Sequence, residues 1–117
     1  GAAFHLLIIT KEVIVKCKNT LYTLSVIKSF RHKGLEQFYN SGSLRGIQPE
    51  HSDKLERVLD ALNAAQEPRD LEFPSFGLHK LKGQLSDHWS IRINGNWRVI
   101  FRFVGQDVEL VDYKDYH

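Results

Sequence analysis

The 117-residue chain has one cysteine (Cys17), no methionine and three prolines. A single cysteine excludes an intrachain disulfide framework and any CxxC-type metal site, and it fits a reducing compartment. Long hydrophobic runs are missing as well. The apolar stretch Phe4–Ile9 falls far short of the roughly 20 residues that span a bilayer. No basic residue precedes it and no small-residue cleavage site succeeds it, so it does not read as a secretory signal. The expectation is a cytoplasmic protein with no membrane partner. A Gly-rich phosphate loop, an HExxH helix and a GxSxG elbow are all absent, which removes the common signatures of nucleotide binding, zinc hydrolysis and serine-hydrolase chemistry. Neither a metal nor a cofactor is expected.

Acid is also scarce in one long segment. Between Phe73 and Phe103 the bases Lys80, Lys82, Arg92, Arg98 and Arg102 face the single acid Asp87. Half of the acids lie between Glu50 and Glu72 instead. Positive charge concentrated on one set of elements is the footprint of a polyanion binder. Ordinary solvated strand faces give the same pattern, and composition does not choose between the two.

The length suits one domain. Residues 1–25 do not share the pattern of the remaining chain and read as an N-terminal extension. It is either a non-native or upstream-translated segment or a genuine extra strand, with Val13–Val15 as the strand candidate. From Val26 the pattern is consistent. "VIKSF" reads as a short strand, and "HKGLEQFYNSG" as a brief helix with Leu35, Phe38 and Tyr39 on one side and Gly42 at its end. In "PEHSDKLERVLDALNAA", Pro49 suits the first helical position, and Leu55, Val58, Leu59 and Leu62 recur at helical spacing. Glu50–Lys54 and Asp53–Arg57 are acid-before-base pairs one turn apart. "EPRDLEFPSFG" reads as loop.

Four strand candidates complete the chain: "LHKLKG", "HWSIRI", "WRVIFRFV" and "VELVDYKDYH", with an Asn-Gly hairpin signal after the second. Alternation sends Trp97, Val99, Phe101 and Phe103 to one face, and Arg98, Ile100 and Arg102 to the other. Helices leading into an antiparallel meander make an α+β layout with the helices on one face of the sheet. The arginine face suits a phosphate backbone, and equally an ordinary solvated face.

The groups left for chemistry are histidines, a lysine, arginines and the final Asp115-Tyr116-His117. Such groups suit metal-free cleavage of an RNA phosphodiester: a base for the 2′-hydroxyl, cations for the phosphate and an acid for the leaving oxygen. His5, His32, His51 and His88 read as ordinary surface or core histidines. His79 and His117 stand out because each adjoins other polar functional groups.

From Val26 to His117 the sequence resembles the HigB toxins of the RelE superfamily, through "IKSFRHKGLEQFY", "LHKLKG", "HWSIRINGNWRVIFRF" and "VDYKDYH". The resemblance places residues 1–25 outside the family pattern and 26–117 within it. Lys80 departs from the family, whose members often carry proline there. The resemblance implies a small RelE-like α+β fold, a twisted antiparallel sheet with two N-terminal helices on one face. It also implies the toxin of a type II toxin–antitoxin system, a ribosome-dependent endoribonuclease that cuts mRNA in the 30S A site. His79, Lys82, Asp115, Tyr116 and His117 are then the catalytic set. His79 and His117 share the proton transfers, Lys82 and Arg98 stabilise the phosphorane, Asp115 tunes a histidine and Tyr116 stacks on a base. Lys80, Arg92 and Arg102 join Arg98 in holding RNA. The partner implied is a HigA-type helix-turn-helix antitoxin, through which alone the toxin reaches operator DNA. Two rivals remain: a toxin of the same fold that poisons DNA gyrase, and a non-enzymatic RNA-binding module.

Overall fold

The computed structural model describes residues 26–116. The extension at 1–25, with its strand candidate Val13–Val15, and the terminal His117 lie outside the described residues. Helix α1 (Lys33–Ser41) is capped at both ends by its own sequence. The Nδ1 of His32 accepts the Leu35 N–H at 2.9 Å, satisfying one of the orphan donors of the first turn. Gly42, at φ 78°, stops the helix and donates its N–H to the Phe38 carbonyl. Leu35 and Phe38 are buried, and Tyr39 packs beside them.

Helix α2 (Ser52–Ala64) is preceded by a 3₁₀ turn at Pro49–His51, so Pro49 opens that turn rather than the α-helix proper. Leu55, Val58, Leu59 and Leu62 are fully buried, as their spacing requires. Lys54 has a closer partner than the expected Glu50. Its Nζ donates to the Ser75 carbonyl at 2.6 Å, which ties α2 to the loop beyond it. That loop contains two further 3₁₀ turns, Pro68–Leu71 and Pro74–Phe76, each of which sends one apolar side chain, Leu71 and Phe76, into the core.

The sheet is a meander of β1 (His79–Lys80), β2 (His88–Asn94), β3 (Trp97–Val104) and β4 (Asp107–Asp115). The strands lie in that order and every pair is antiparallel. The β2–β3 turn places Gly95 at φ 55° in its first central position, where a primed hairpin turn needs positive φ. The expected "VIKSF" strand is reduced to two isolated parallel bridges, Ile27 with Val108 and Phe30 with Val111. A bulge in β4 is the cause. Leu110 adopts φ 57° and the β3–β4 register shifts around it, so the edge is not straight enough for a continuous ladder. The Leu110 N–H turns outward and donates to Ser29 Oγ at 2.9 Å.

One core holds the layers together. Helix residues Leu35, Leu55, Leu59 and Leu62 pack on Ile91, Ile93, Val99, Phe101, Val108, Val111 and Tyr113 of the sheet. The alternation of β3 is as expected, with one addition. Ile100 shares the far face with Arg98 and Arg102 yet is only 3% exposed, and its cross-strand neighbour Ser90 and nearby His88 are buried too. The face away from the helices is therefore closed at its centre rather than solvated throughout.

Candidate active site

Strand register lays out the far face as two rows. One runs His79–Ser90–Ile100–Asp112 across β1 to β4, and the next runs Arg92–Arg98–Lys114 across β2 to β4. A cleft of about 330 Å³ opens over them, lined by Gly77, His79, Leu81, Ser90, Arg92, Arg98 and Tyr116. Each wall has a local cause. His79 and Leu81 share a face because they lie two residues apart, and the Leu81 N–H pairs with the His88 carbonyl to hold that edge. The Pro74–Phe76 turn ends at Gly77, whose α-carbon lies close against Arg92: a Cβ there would meet the Arg92 Cβ at 3.7 Å. Tyr116 is fixed past the end of β4 by its own N–H, which donates to the Asn96 carbonyl at 2.8 Å.

The electrostatics of the second row are unusual. Arg92, Arg98 and Lys114 sit directly opposite one another, and among the described residues none of the three pairs with a carboxylate. Like charges facing each other across strands destabilise a sheet. Arg98 spends one terminal nitrogen on the hairpin, donating from Nη1 to the Gly95 carbonyl at 2.8 Å and to the Trp97 carbonyl at 3.2 Å. Three of its five N–H donors remain for a ligand. A row of unpaired cations beside an imidazole and a phenol is an arrangement that an oxyanion would relieve.

The sequence-derived site residues divide into two groups. His79, Arg92, Arg98 and Tyr116 come together in the cleft. Lys80 does not join them, because in its register opposite Trp89 it lies one residue out of phase with His79. Its ammonium sits 5.8 Å from the Trp89 ring. Lys82 is exposed at the start of the 3₁₀ turn Gly83–Leu85 and is not among the cleft lining. Arg102 is on the expected face but is held by carboxylates, with Nη1 donating to Asp87 at 3.0 Å and Nη2 to Glu109. These contacts hold the Asp87 carboxyl below its usual range, Arg102 first and His88 second. Arg102 thus closes a structural cluster at the other end of the face.

Asp115 is opposite Trp97 and lines a separate groove with Glu50, His51 and Asn96, on the side away from the cleft. His117 lies outside the described residues. His51 and His88 are buried, in keeping with their reading as ordinary histidines. His51 Nδ1 is 2.7 Å from the Tyr113 hydroxyl, which also accepts the Gln48 N–H at 3.3 Å. Burial pushes the Tyr113 phenol above its ordinary pKa.

Three lining residues were not singled out from the sequence: Ser90, Leu81 and Gly77. Ser90 could have been found by pairing "LHKL" with "HWSI" in antiparallel register, since it is the small polar position facing His79.

Comparisons with known proteins bear on the family and the fold. The family described as RelE-like toxin of type II toxin–antitoxin system HigB matches residues 28–117. Endoribonuclease HigB of Proteus vulgaris is 37% identical over 92 residues, covering 79% of this chain and all of that protein. Toxin HigB-1 of Vibrio cholerae is 38% identical over 90 residues, covering 75% of this chain and 94% of that protein. Among solved structures, the YoeB dimer from Staphylococcus aureus has the same fold, with a TM-score of 0.52 at 18% identity, over 81% of this chain and 99% of that one.

Proposed function

The chain belongs to the HigB family of RelE-like toxins of type II toxin–antitoxin systems, and from that premise we propose that it cuts messenger RNA on the ribosome without a metal ion. Its reaction class is that of an endoribonuclease, as in its Proteus relative. The observation that carries the reading is the cleft in which His79 and Tyr116 flank the unpaired Arg92–Arg98 pair.

The scissile phosphate lies over the two arginines. A histidine removes the 2′-hydroxyl proton, the 2′-oxygen attacks phosphorus, and the bond to the 5′-oxygen breaks as a second acid protonates it. The products are a 2′,3′-cyclic phosphate and a 5′-hydroxyl. His79 supplies one proton transfer and His117, the residue after Tyr116, the other. Arg98 and Arg92 bind the equatorial oxygens as their charge grows, and Tyr116 offers its ring to a base. Lys82 acts from the rim as a long-range cation. Asp115, which lines the neighbouring groove two residues before His117, tunes a histidine. A type II system implies an antitoxin partner. In this reading it is a HigA-type helix-turn-helix protein through which the complex reaches operator DNA, and the ribosomal 30S A site presents the substrate.

The test is cleavage of a defined message, free and on programmed ribosomes, with the 5′ ends mapped and the end groups of both products identified. The reading expects cuts only on ribosomes, and a 2′,3′-cyclic phosphate with a 5′-hydroxyl at every cut, the ends left by attack of the 2′-oxygen. His79→Gln should slow the reaction by roughly 10²–10⁴ while the fold persists. Equal cleavage of free RNA would end the claim of ribosome dependence, and full activity in His79→Gln would remove that residue from the chemistry.

A further inference from the structure

Across the Pro74–Gly77 turn from the cleft lies a second depression, about 480 Å³, lined by Arg57, Asp60, Ala61, Ala64 and Ser75, with Phe73 and Phe76 at its end. It combines three features. Phe73 is 51% exposed, a large aromatic ring left in solvent, and it rests edge-on against the buried Phe76 with ring centroids 5.0 Å apart. Ala61 and Ala64 make the floor shallow enough to admit another side chain. At the rim, one carboxylate oxygen of Asp60, Oδ1, is buried with no hydrogen-bond partner. Asp60 adjoins Asp53 and Glu56 around the cation Arg57.

That oxygen is closed to solvent, so an incoming cation meets the part of Asp60 that lines the groove. An exposed aromatic ring beside an apolar floor offers area that a partner can bury. The acidic rim disfavours an RNA backbone and favours a cationic protein segment.

We propose that this groove is the docking site of the antitoxin, receiving a segment that places an apolar side chain on Phe73 and a lysine, arginine or backbone N–H donor on Asp60. The proposal rests on the toxin–antitoxin reading above and names the surface that the partner uses. The other large apolar side chains exposed among the described residues fit the role less well. Tyr116 belongs to the cleft, Val104 stands at a hairpin tip, and Leu44 lies in the loop after α1 beside the cation Arg45. The position also suits neutralisation. Phe73 is four residues from Gly77 in the cleft wall, and Lys54 clamps the turn between them through the Ser75 carbonyl. A partner seated on Phe73 is therefore joined to the cleft wall through this turn.

The experiment titrates purified parent, Phe73→Ser, Asp60→Asn and Val104→Ser toxins with the antitoxin encoded in the same operon. Calorimetry reads affinity, and cleavage on programmed ribosomes is measured in parallel without antitoxin. Phe73→Ser should weaken antitoxin binding by about 30-fold or more, and Asp60→Asn by about tenfold. Val104→Ser should leave binding unchanged, and all three variants should cut RNA as the parent does. Binding within twofold of the parent in both groove variants overturns the proposal. So does a loss of RNA cleavage in Phe73→Ser with antitoxin affinity intact, since RNA would then be the occupant. If the operon's antitoxin fails to bind the parent toxin, the toxin–antitoxin reading fails, and this surface assignment falls with it.

Discussion

Replacing Arg92 by glutamine should make the protein more stable and less active at the same time. Arg92 sits opposite Arg98, which sits opposite Lys114. It also contributes to the lowered pKa of Lys54, whose ammonium is pushed down first by burial and then by Arg57 and Arg92. Two cations about 6 Å apart repel by roughly 0.7 kcal/mol in water-like dielectric, and by more beside a protein surface. Screening at physiological salt reduces this, because the Debye length is then about 8 Å. Among the described residues Arg92 makes no ion pair that the substitution would break, and glutamine keeps the β-carbon that lies near Gly77. The expected gain is therefore about 0.5–1 kcal/mol, or roughly 2–6 °C in Tm for a domain of this size. Ribosomal cleavage should fall about tenfold or more, towards the 10²–10³ seen when one transition-state donor is lost. The assay pairs thermal unfolding at low salt and at 1 M salt with single-turnover cleavage. A stability gain that persists undiminished at 1 M salt would refute the repulsion argument. Unchanged cleavage would refute a role for Arg92 at the phosphate.

Tyr113→Phe removes the acceptor of the Gln48 N–H and leaves His51 Nδ1 without its partner. Urea denaturation should show a loss of about 1–3 kcal/mol, the cost of a buried hydrogen-bonding group left unsatisfied. The Asp87 carboxyl is held low by Arg102 and then His88. Its contribution to stability is present above the unfolded carboxylate pKa and disappears as pH falls through the lower, folded value. The parent should accordingly lose more of its urea midpoint between pH 5 and pH 2.5 (about the carboxylate range) than Asp87→Asn does. Leu110→Gly should be far milder than a usual leucine deletion in a strand. Glycine accepts φ 57° without the roughly 1–2 kcal/mol that a left-handed L-residue costs, which offsets part of the burial it gives up. A stability several kcal/mol lower by urea denaturation would show that Leu110 is held by packing rather than strained.

Local rules made the helical layer legible in the sequence. The spacing of Leu55, Val58, Leu59 and Leu62 defined a buried stripe, and Gly42 marked a helix end. What local rules could not give was competition between partners. Lys54 chose the Ser75 carbonyl over Glu50 because the loop passes above it, a tertiary fact. Arg102 looked equivalent to Arg98 by alternation. It differs only because the chain brings Asp87 and Glu109 to its end of the sheet, so the same residue type is neutralised at one end and left free at the other.

The tail "DYKDYH" shows how one residue decides a site. Without a bulge, the parity that puts Val108 on the core side would carry Lys114 and Tyr116 there too, and would turn Asp115 towards the arginines. Leu110 takes the extra place in β4, so that Val111 and Tyr113 are the buried positions instead. Every side chain beyond it changes face. Tyr116 is thereby delivered to the cleft, Lys114 to the cation row, and Asp115 to the groove beside His51. The adjacent apolar pair Leu110-Val111, which breaks an otherwise alternating run, was the trace of this in the sequence. As a bulge, it exchanges the faces of two neighbours, Asp115 and Tyr116, and so decides which of them meets the arginines. The chemistry of the tail is thus set less by the last residues themselves than by a backbone irregularity six positions upstream of Tyr116.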